Sequence, residues 1–259
     1  KVKKQDERFP FFDWKNAGVH LGGVASSIVK DLDGNIWAGF DLAAPELIHH
    51  DRKTGKTVSV LNQDAVERFL IQNIRSLSLD REGNLWIGAQ NEVLRRDAKT
   101  GKFRRYNNLW KSPDIQDSDG YLWIPDNGGG LFRLDPKTGA FINFRQDASR
   151  PESISGNNVQ SIFEDVNGNI WVGGGGFSGS FPDPLFIDRL NPDGKSFTHF
   201  LNKEEAGSAA SATYITSDEQ GNLWFLDQVG SLQKLNPADG TRQKFSSPNI
   251  NLNGINGSS

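Results

Sequence analysis

The chain of 259 residues contains no cysteine and no methionine. Without cysteine there are no disulfide bonds, thiolate metal sites or cysteine nucleophiles, so a zinc site would depend on the four histidines. Neither sign of charge dominates, because 29 Lys and Arg residues stand against 32 Asp and Glu residues and the net charge is -3. This balance argues against disorder caused by charge and against a nucleic-acid partner.

Long hydrophobic runs are also missing. No apolar stretch approaches the roughly 18 residues that a membrane span requires, so we expect no direct membrane insertion. The first residues, Lys1 to Arg8, are too polar for the core of a signal peptide. Because the sequence starts at Lys1 without an initiator, we expect a processed or excised chain, with a membrane-bound parent or partner.

The sequence is rich in glycine and tryptophan, with 28 and 7 residues respectively. Five tryptophans belong to one recurring string, Asp-x-x-Gly-x-[Ile/Leu]-Trp, and they follow one another at intervals of 37 to 53 residues. The five strings are Asp31-Leu-Asp-Gly-Asn-Ile-Trp37, Asp80-Arg-Glu-Gly-Asn-Leu-Trp86, Asp117-Ser-Asp-Gly-Tyr-Leu-Trp123, Asp165-Val-Asn-Gly-Asn-Ile-Trp171 and Asp218-Glu-Gln-Gly-Asn-Leu-Trp224.

A second turn motif follows each tryptophan, as in Asp97-Ala-Lys-Thr-Gly101 and Asp135-Pro-Lys-Thr-Gly139. Short β-like runs precede the first motif and follow the second, for example Val159 to Phe163 and Lys102 to Tyr106. Each unit therefore predicts four antiparallel strands with a tight turn between the first two and between the last two. The intervals are those of propeller blades.

The predicted fold is therefore an all-β propeller of four-stranded antiparallel blades. We expect a single domain over residues 1–259 with five blades, and the alternative is a fragment of a seven-bladed array. The blades are centred on Trp37, Trp86, Trp123, Trp171 and Trp224. Because these tryptophans occupy one equivalent position, we expect them to pack between blades rather than to bind sugar.

The string Asp80-Arg-Glu-Gly-Asn-Leu-Trp-Ile-Gly88, with Leu94-Arg-Arg-Asp-Ala-Lys-Thr-Gly-Lys-Phe103 after it, resembles the two-component-regulator propeller repeat. That family forms periplasmic sensor propellers of bacterial hybrid two-component systems, which usually hold more than five repeats before a membrane span and a kinase. The resemblance implies a periplasmic or secreted sensor domain. A more distant resemblance, to streptogramin lyase-type propellers, is carried by Gly221-Asn-Leu-Trp-Phe225.

The loops between the second and third strands differ from blade to blade, which predicts that their face binds the ligand. Polar residues stand where the second strand ends, and amide or carboxylate groups there suit a sugar. The alternative is that they satisfy the hydrogen-bonding needs of loop backbone groups. The candidate ligand-binding residues on this face, with two aromatic residues from neighbouring loops, are Asp41, Gln90, Trp110, Asp126, Asn127, Phe177, Asp227 and Gln228.

Three other features have competing interpretations. The glycine-rich stretch Gly173 to Pro184 resembles a mobile flap with apolar tips, among them Phe177. Trp110 either stacks on a sugar or fills a short connection. The basic strip on the outer strands of the second blade is explained by a solvated edge as well as by a partner. It comprises Arg95, Arg96, Lys99, Lys102, Arg104 and Arg105.

Metal and cofactor chemistry has little support in the sequence. The motif aspartates begin tight turns, where a carboxylate accepts hydrogen bonds from backbone N–H groups two or three residues on. Asp165 imitates the start of a calcium loop, but Gly176 stands where the bidentate Glu belongs. We therefore predict no metal, no cofactor and no catalytic residue.

The leading hypothesis is a non-catalytic extracytoplasmic sensor propeller for a polar small molecule, specifically a carbohydrate fragment such as an oligosaccharide. One alternative is a propeller enzyme, a lyase or glycan-active protein, that uses His20 with carboxylates of the variable face. The other alternative is a scaffold that binds protein.

Overall fold

The computed structural model describes residues 24–41, 46–60, 73–90, 92–107, 113–178, 181–201, 211–227 and 230–245. The chain forms two compact units, residues 1–112 and residues 113–259, which are described separately. Every regular element among the described residues is a β-strand, so no helix there is long and apolar enough to cross a membrane.

The first unit contains two antiparallel sheets of four strands, blades 1 and 2, in which spatial order follows chain order. Blade 1 consists of β1 (Val24–Lys30), β2 (Ile36–Asp41), β3 (Glu46–His50) and β4 (Thr57–Ser59). Blade 2 consists of β5 (Ser76–Leu79), β6 (Leu85–Ala89), β7 (Glu92–Arg96) and β8 (Phe103–Asn107).

The second unit contains three sheets of the same kind, blades 3 to 5. Blade 3 consists of β9 (Ile115–Gln116), β10 (Leu122–Asp126), β11 (Gly130–Leu134) and β12 (Phe141–Phe144). Blade 4 consists of β13 (Val159–Glu164), β14 (Ile170–Ser178), β15 (Phe181–Leu190) and β16 (Phe197–His199). Blade 5 consists of β17 (Thr213–Ser217), β18 (Leu223–Leu226), β19 (Leu232–Leu235) and β20 (Arg242–Phe245). The predicted fold, an all-β propeller of four-stranded antiparallel blades, is confirmed with five sheets, whereas a single domain over residues 1–259 stays a prediction.

The connections at one end of each blade have constant length. Five residues join the first strand to the second and six join the third to the fourth in all five blades. Gly168 in the first kind of turn has φ 77° and Gly139 in the second kind has φ 80°, conformations that residues with a Cβ rarely adopt. We call this the turn end of the blade.

The opposite end, which we call the loop end, varies. The second and third strands are joined by two to five residues there. The connections from one blade to the next have between 7 and 16 residues. The predicted contrast between a uniform face and a variable face is therefore present within the blades.

Three of the motif tryptophans lie in the core between neighbouring blades, as predicted, whereas the same role for Trp86 and Trp224 stays a prediction. Trp37 shares a buried cluster with Leu85 of blade 2, and Trp123 shares one with Ile170 of blade 4. Trp171 lies in a third cluster with Leu223 of blade 5. Four of the five rings are at most 5% exposed, and only the ring of Trp224 is half-buried.

The glycine-rich stretch from Gly173 to Pro184 is not a loop, as the sequence analysis expected, but belongs to two paired strands, and its mobility stays a prediction. β14 and β15 continue through this stretch as an extended hairpin, with Gly176 paired to Asp183 and Phe177 paired to Pro182. Backbone pairing needs no side chain, so a glycine run can form a ladder as readily as a loop. A Cβ on Gly173 would collide with the side chain of Ile215, so at least this glycine is required for packing.

Candidate functional site

The motif aspartate and tryptophan of each blade form one hydrogen-bonded unit at the turn end. In all five blades the indole Nε1 donates to an aspartate Oδ2 at 2.6 to 3.1 Å. In four blades an asparagine amide donates to the same carboxylate, as Asn169 does to Asp165 at 2.8 Å. Each motif aspartate therefore ties the turn between the first and second strands to the tryptophan side chain of the second strand.

The other aspartate oxygen, Oδ1, accepts backbone N–H groups. In blade 4 the donors are Asn167 and Asn169, two and four residues after Asp165. The prediction of donors two or three residues on is therefore corrected, because the N–H group of the turn glycine instead donates to the backbone oxygen of the aspartate. The sequence analysis also missed the indole as a donor.

These contacts set the charge state of two of the aspartates. Burial raises the pKa of Asp165, but bonds from the side chains of Trp171 and Asn169 outweigh it, and the net pKa is lowered. The Trp224 indole is the main cause of the lowered pKa of Asp218. Both carboxylates are therefore ionised at neutral pH and serve as acceptors.

A basic residue faces each motif tryptophan from the third strand, and in blade 1 it is a histidine, His49, whose pKa is lowered by burial. These residues are His49, Arg95, Arg133, Arg189 and Lys234. Lys234 Nζ lies 3.2 Å from Asp218 Oδ2 and 5.2 Å from the Trp224 ring centre. In blade 5 the turn end thus combines a carboxylate, an indole and a cation in one compact contact.

Much of the basic strip of blade 2 is engaged in contacts within the first unit. Arg95 lies 3.9 Å from Asp80 and 3.7 Å from Asp97. The guanidinium of Arg96 lies over the Trp37 ring at 4.9 Å, and Arg105 lies 3.4 Å from Glu92. These contacts support a structural explanation for the strip.

Three of the four predicted ligand-binding side chains that the structure describes are hydrogen-bonded to the protein itself. Gln90 Oε1 accepts a hydrogen bond from Asn73 Nδ2 at 2.9 Å. Asp126 Oδ1 accepts the Gly129 N–H at 2.8 Å. Asn127 is exposed, and its backbone bridges to Asn158 of blade 4.

Asp227 is the most strongly held of these residues, at 5% exposed. Its Oδ1 accepts the Ser231 N–H at 2.8 Å, and its Oδ2 accepts Gln233 Nε2 at 2.8 Å and Lys244 Nζ at 3.1 Å. Burial raises its pKa, but these donors outweigh burial and leave the pKa lowered. These contacts are explained by a structural role, in which Asp227 accepts hydrogen bonds from the loop and from the two strands that follow it.

The remaining predicted residues are only partly visible. The backbones of Asp41 and Phe177 belong to β2 and β14. Trp110, Gln228 and His20 lie outside the described residues. The assignment of all eight residues to a ligand site stays a prediction.

A cleft of the second unit lies at the loop end, where the connection from blade 3 to blade 4 passes the end of β16. Its volume is about 560 Å³, within the range of small-molecule sites. It is lined by Gln146, Asp147, Ala148, Arg150, Pro151, Ser153, Ile154, Ser155, His199, Phe200 and Leu201. It therefore combines polar groups with an apolar floor.

Three polar side chains brace one wall of this cleft. The Ser155 N–H donates to Asp188 Oδ2 at 2.7 Å, and the Ser155 hydroxyl lies 2.8 Å from both Asp188 Oδ1 and His199 Nδ1. His199 Nδ1 is 2.8 Å from Asp188 Oδ1, and its Nε2 is 2.8 Å from the Pro151 carbonyl oxygen. The brace fixes the connection to the outer strands of blade 4.

The brace does not have the geometry of a Ser-His-Asp nucleophile. In such a triad the carboxylate and the hydroxyl contact opposite nitrogens of the imidazole. Here Asp188 and Ser155 share Nδ1, while Nε2 faces a carbonyl oxygen. The arrangement positions the loop and supplies no general base to the serine.

A second charged pair borders the opening. Arg150 Nε donates to Asp147 Oδ2 at 2.9 Å, and both side chains are substantially exposed. The Ser149 hydroxyl and the Arg150 guanidinium lower the pKa of Asp147 to about 2. The opening of the cleft therefore presents one carboxylate and one guanidinium that are joined as an ion pair.

Sequence analysis named none of the cleft residues as part of a site. One contact could have been predicted from the sequence. Asp188 and His199 pair when the strand register is counted outward from the Asn191-Pro-Asp-Gly194 turn. The approach of Ser155 was not accessible, since it depends on the path of a 14-residue connection.

The fold places the chain among β-propeller repeat proteins. The family described as two component regulator propeller matches residues 69–91 and 153–176. The chain carries repeats of this type, and the family resemblance drawn from the sequence is confirmed.

Comparison with individual proteins agrees. Histidine kinase P4 of Formosa agariphila is 29% identical over 182 residues, covering 66% of this chain and 13% of that protein. The extracellular domain of the putative hybrid two component system BT4673 from B. thetaiotaomicron is 25% identical with a TM-score of 0.56. The alignment covers 87% of this chain and 31% of that domain.

A third protein shares the fold. The extracellular domain of BT3049, another putative hybrid two component system of B. thetaiotaomicron, is 21% identical with a TM-score of 0.58 over 90% of this chain. The chain spans 30% of that domain, so it corresponds to less than a third of either crystallised domain.

Proposed function

We propose that the chain is a ligand-sensing propeller region of an extracytoplasmic receptor domain, and that it binds a polar small molecule at the loop end of its blades. Membership in the repeat family and similarity to extracellular domains of hybrid two component systems support the sensor role. A membrane-bound parent with a kinase, as in the relatives, accounts for the output. The location that follows is periplasmic or secreted.

The observation that carries the ligand site is the cleft bordered by Arg150, Asp147, Ser153 and His199. The brace of Ser155, Asp188 and His199 keeps its wall in place before a ligand arrives, which lowers the entropic cost of binding. Donors and acceptors over an apolar floor suit the hydroxyl groups and the flat faces of a carbohydrate fragment. We therefore propose an oligosaccharide as the ligand.

The test is a thermal-shift screen of the whole chain with neutral and acidic oligosaccharides, followed by calorimetric titration of the strongest hit. Arg150→Ala should weaken binding about tenfold, because hydrogen bonds to a charged group contribute about 1.5 to 3 kcal/mol. Lys137→Ala, which removes an exposed cation at the turn end, is the matched control. Absence of any stabilising sugar, or equal effects of the two variants, would refute the proposed site.

The ligand-binding residues predicted from the sequence are tested with the same ligand. Asn127→Ala should weaken binding only several-fold, since one neutral hydrogen bond contributes about 0.5 to 1.5 kcal/mol. Trp110→Ala should have the larger effect if the ring stacks on the sugar, and almost none if it fills a connection. Unchanged affinity in both variants would confine the site to the cleft.

A further inference from the structure

Blade 3 departs from the other four blades at one position of the turn motif. Where they have an asparagine, blade 3 has Tyr121. In blade 2 the equivalent Asn84 joins two turns, because its amide donates to Asp80 while its Oδ1 accepts the Ala98 N–H. Tyr121 makes no such link among the described residues, and its ring is 36% exposed. Tyr121 therefore lacks the structural contacts of the asparagine and exposes an aromatic ring instead, which suggests a role in binding.

The cation of blade 3 also differs from those of blades 2 and 5. The guanidinium of Arg133 lies over three rings, at 4.8 Å from Tyr121, 5.6 Å from Trp123 and 5.7 Å from Phe144. Arg95 and Lys234, its counterparts in blades 2 and 5, lie within 4 Å of a motif carboxylate. Within the part of the chain that the structure describes, Arg133 has neither a hydrogen bond nor an ion pair. Its N–H groups are therefore available to a ligand.

Both residues line a groove between blades 3 and 4 at the turn end. The groove has a volume of about 280 Å³, enough for one ring and a small substituent. Its other walls include Asp119, Glu164 and Pro192. Glu164 is engaged, because both of its carboxylate oxygens accept the Ser118 N–H.

We propose that this groove is a second binding site, for a monocarboxylate carried on a six-membered ring with an apolar face. A half-buried guanidinium without a partner favours a carboxylate, which matches its planar donors in a bidentate contact. The exposed face of Tyr121, beside it, stacks on the ring of the ligand. The nearby carboxylates of Asp119 and Glu164 disfavour ligands with two or more negative charges.

Arg189 of blade 4 serves as an internal comparison. It likewise lies over rings, at 5.6 Å from Trp171 and 5.4 Å from Phe200, and has no hydrogen bond among the described residues. At the position of Tyr121, however, blade 4 has Asn169, whose amide is bonded to Asp165. The combination of an available guanidinium with an exposed ring is thus present in blade 3 and absent in blade 4. The site also goes beyond the proposed function, because it lies at the opposite end of the blade.

The experiment is titration of the whole chain with benzoate, glucuronate, glucose and sulfate, followed by calorimetry or by NMR of the probes. Benzoate and glucuronate should bind, whereas glucose, which lacks the carboxylate, and sulfate, which lacks the ring, should bind at least about tenfold more weakly. Failure of both ring acids to bind at millimolar concentration would overturn the proposal. So would glucose or sulfate binding as tightly as they do.

Two variants assign the site. Tyr121→Asn installs the residue of the other four blades, so the turn should remain folded while ring-acid binding falls at least several-fold. Arg133→Gln should abolish the preference for glucuronate over glucose, and Arg189→Gln is the matched control that should leave it unchanged. Ring-acid affinity unaffected by both Tyr121→Asn and Arg133→Gln would overturn the proposal. Both variants lie outside the cleft at the loop end, so a sugar probe that binds the cleft keeps its affinity in them, and failure here is distinct from failure of the proposed function.

Discussion

The turn end and the loop end of the blades obey different rules. At the turn end, connections of five and six residues recur in all five blades, and so does the bond from indole to aspartate. At the loop end, the connections between blades vary from 7 to 16 residues. Repeated contacts indicate a common structural task, whereas variable ones leave room for recognition. A single sequence can thus reveal which end is scaffold.

The largest expected effect comes from removing an inter-blade tryptophan. Trp171→Ala should lower the free energy of unfolding by about 3 to 5 kcal/mol, because the cavity opens between blades 4 and 5. Chemical denaturation measures the change. Trp171→Phe is the control, since it keeps an aromatic ring and loses only the bond to Asp165. Unchanged stability of Trp171→Ala with loss of sugar binding would show that scaffold and site have been confused.

Removing a buried turn carboxylate should have the next largest effect. Asp80 is 3% exposed, and its loss strands the Trp86 indole and two N–H donors of Asn84. Asp80→Ala should therefore destabilise the protein by about 2 to 3 kcal/mol in denaturation experiments. Asp119→Ala, an exposed aspartate of another turn, should change stability by less than about 0.5 kcal/mol. Equal effects would remove the distinction between motif and non-motif aspartates.

Acid should weaken the turn end in a defined direction. The pKa values of Asp165 and Asp218 are lowered in the folded protein, so their contribution is complete above the unfolded value of about 4. It is lost as the pH falls through the folded value, because the unfolded state then binds more protons. In Trp224→Phe, which removes the indole donor of Asp218, the stability deficit at pH 7 should shrink as the pH falls below about 4. A deficit independent of pH would contradict this linkage.

The brace at the loop end should affect local order more than global stability. Ser155→Ala removes the hydroxyl contacts to Asp188 and His199, and should cost about 0.5 to 1.5 kcal/mol. Amide hydrogen exchange in residues 146–158 should accelerate, while the strands of blade 4 keep their protection. Ser217→Ala in blade 5 is the control. Uniform acceleration across the second unit would show that the brace is part of the scaffold.

Chelation should have the smallest effect. Both oxygens of the motif aspartates accept N–H donors, as in Asp165, which leaves little capacity to bind calcium. The melting temperature measured with and without EDTA should therefore agree. A decrease of several degrees that calcium reverses would contradict the prediction that no metal is bound.

Sequence reasoning was strongest where one local pattern recurs. The Asp-x-x-Gly-x-[Ile/Leu]-Trp string fixed the number of blades, and Trp123 and Trp171 are buried as their register required. It was weakest where a contact depends on the path of a connection, as with Ser155 against Asp188, or where composition misleads, as in the hairpin around Gly173 and Gly174. The sequence shows that Tyr121 departs from the repeat. Its contact with the Arg133 guanidinium, which suggests a binding role, is known only from the structure.

The division into a scaffold end and a recognition end is tested most directly by hydrogen exchange with and without a bound ligand. The ligand is the neutral oligosaccharide that most raises the melting temperature of the chain in the thermal-shift screen. The account predicts new protection in residues 146–155 and near His199, with the turns around Asp80 and Asp165 unchanged. Protection confined to those turns, with none at the cleft, would contradict it.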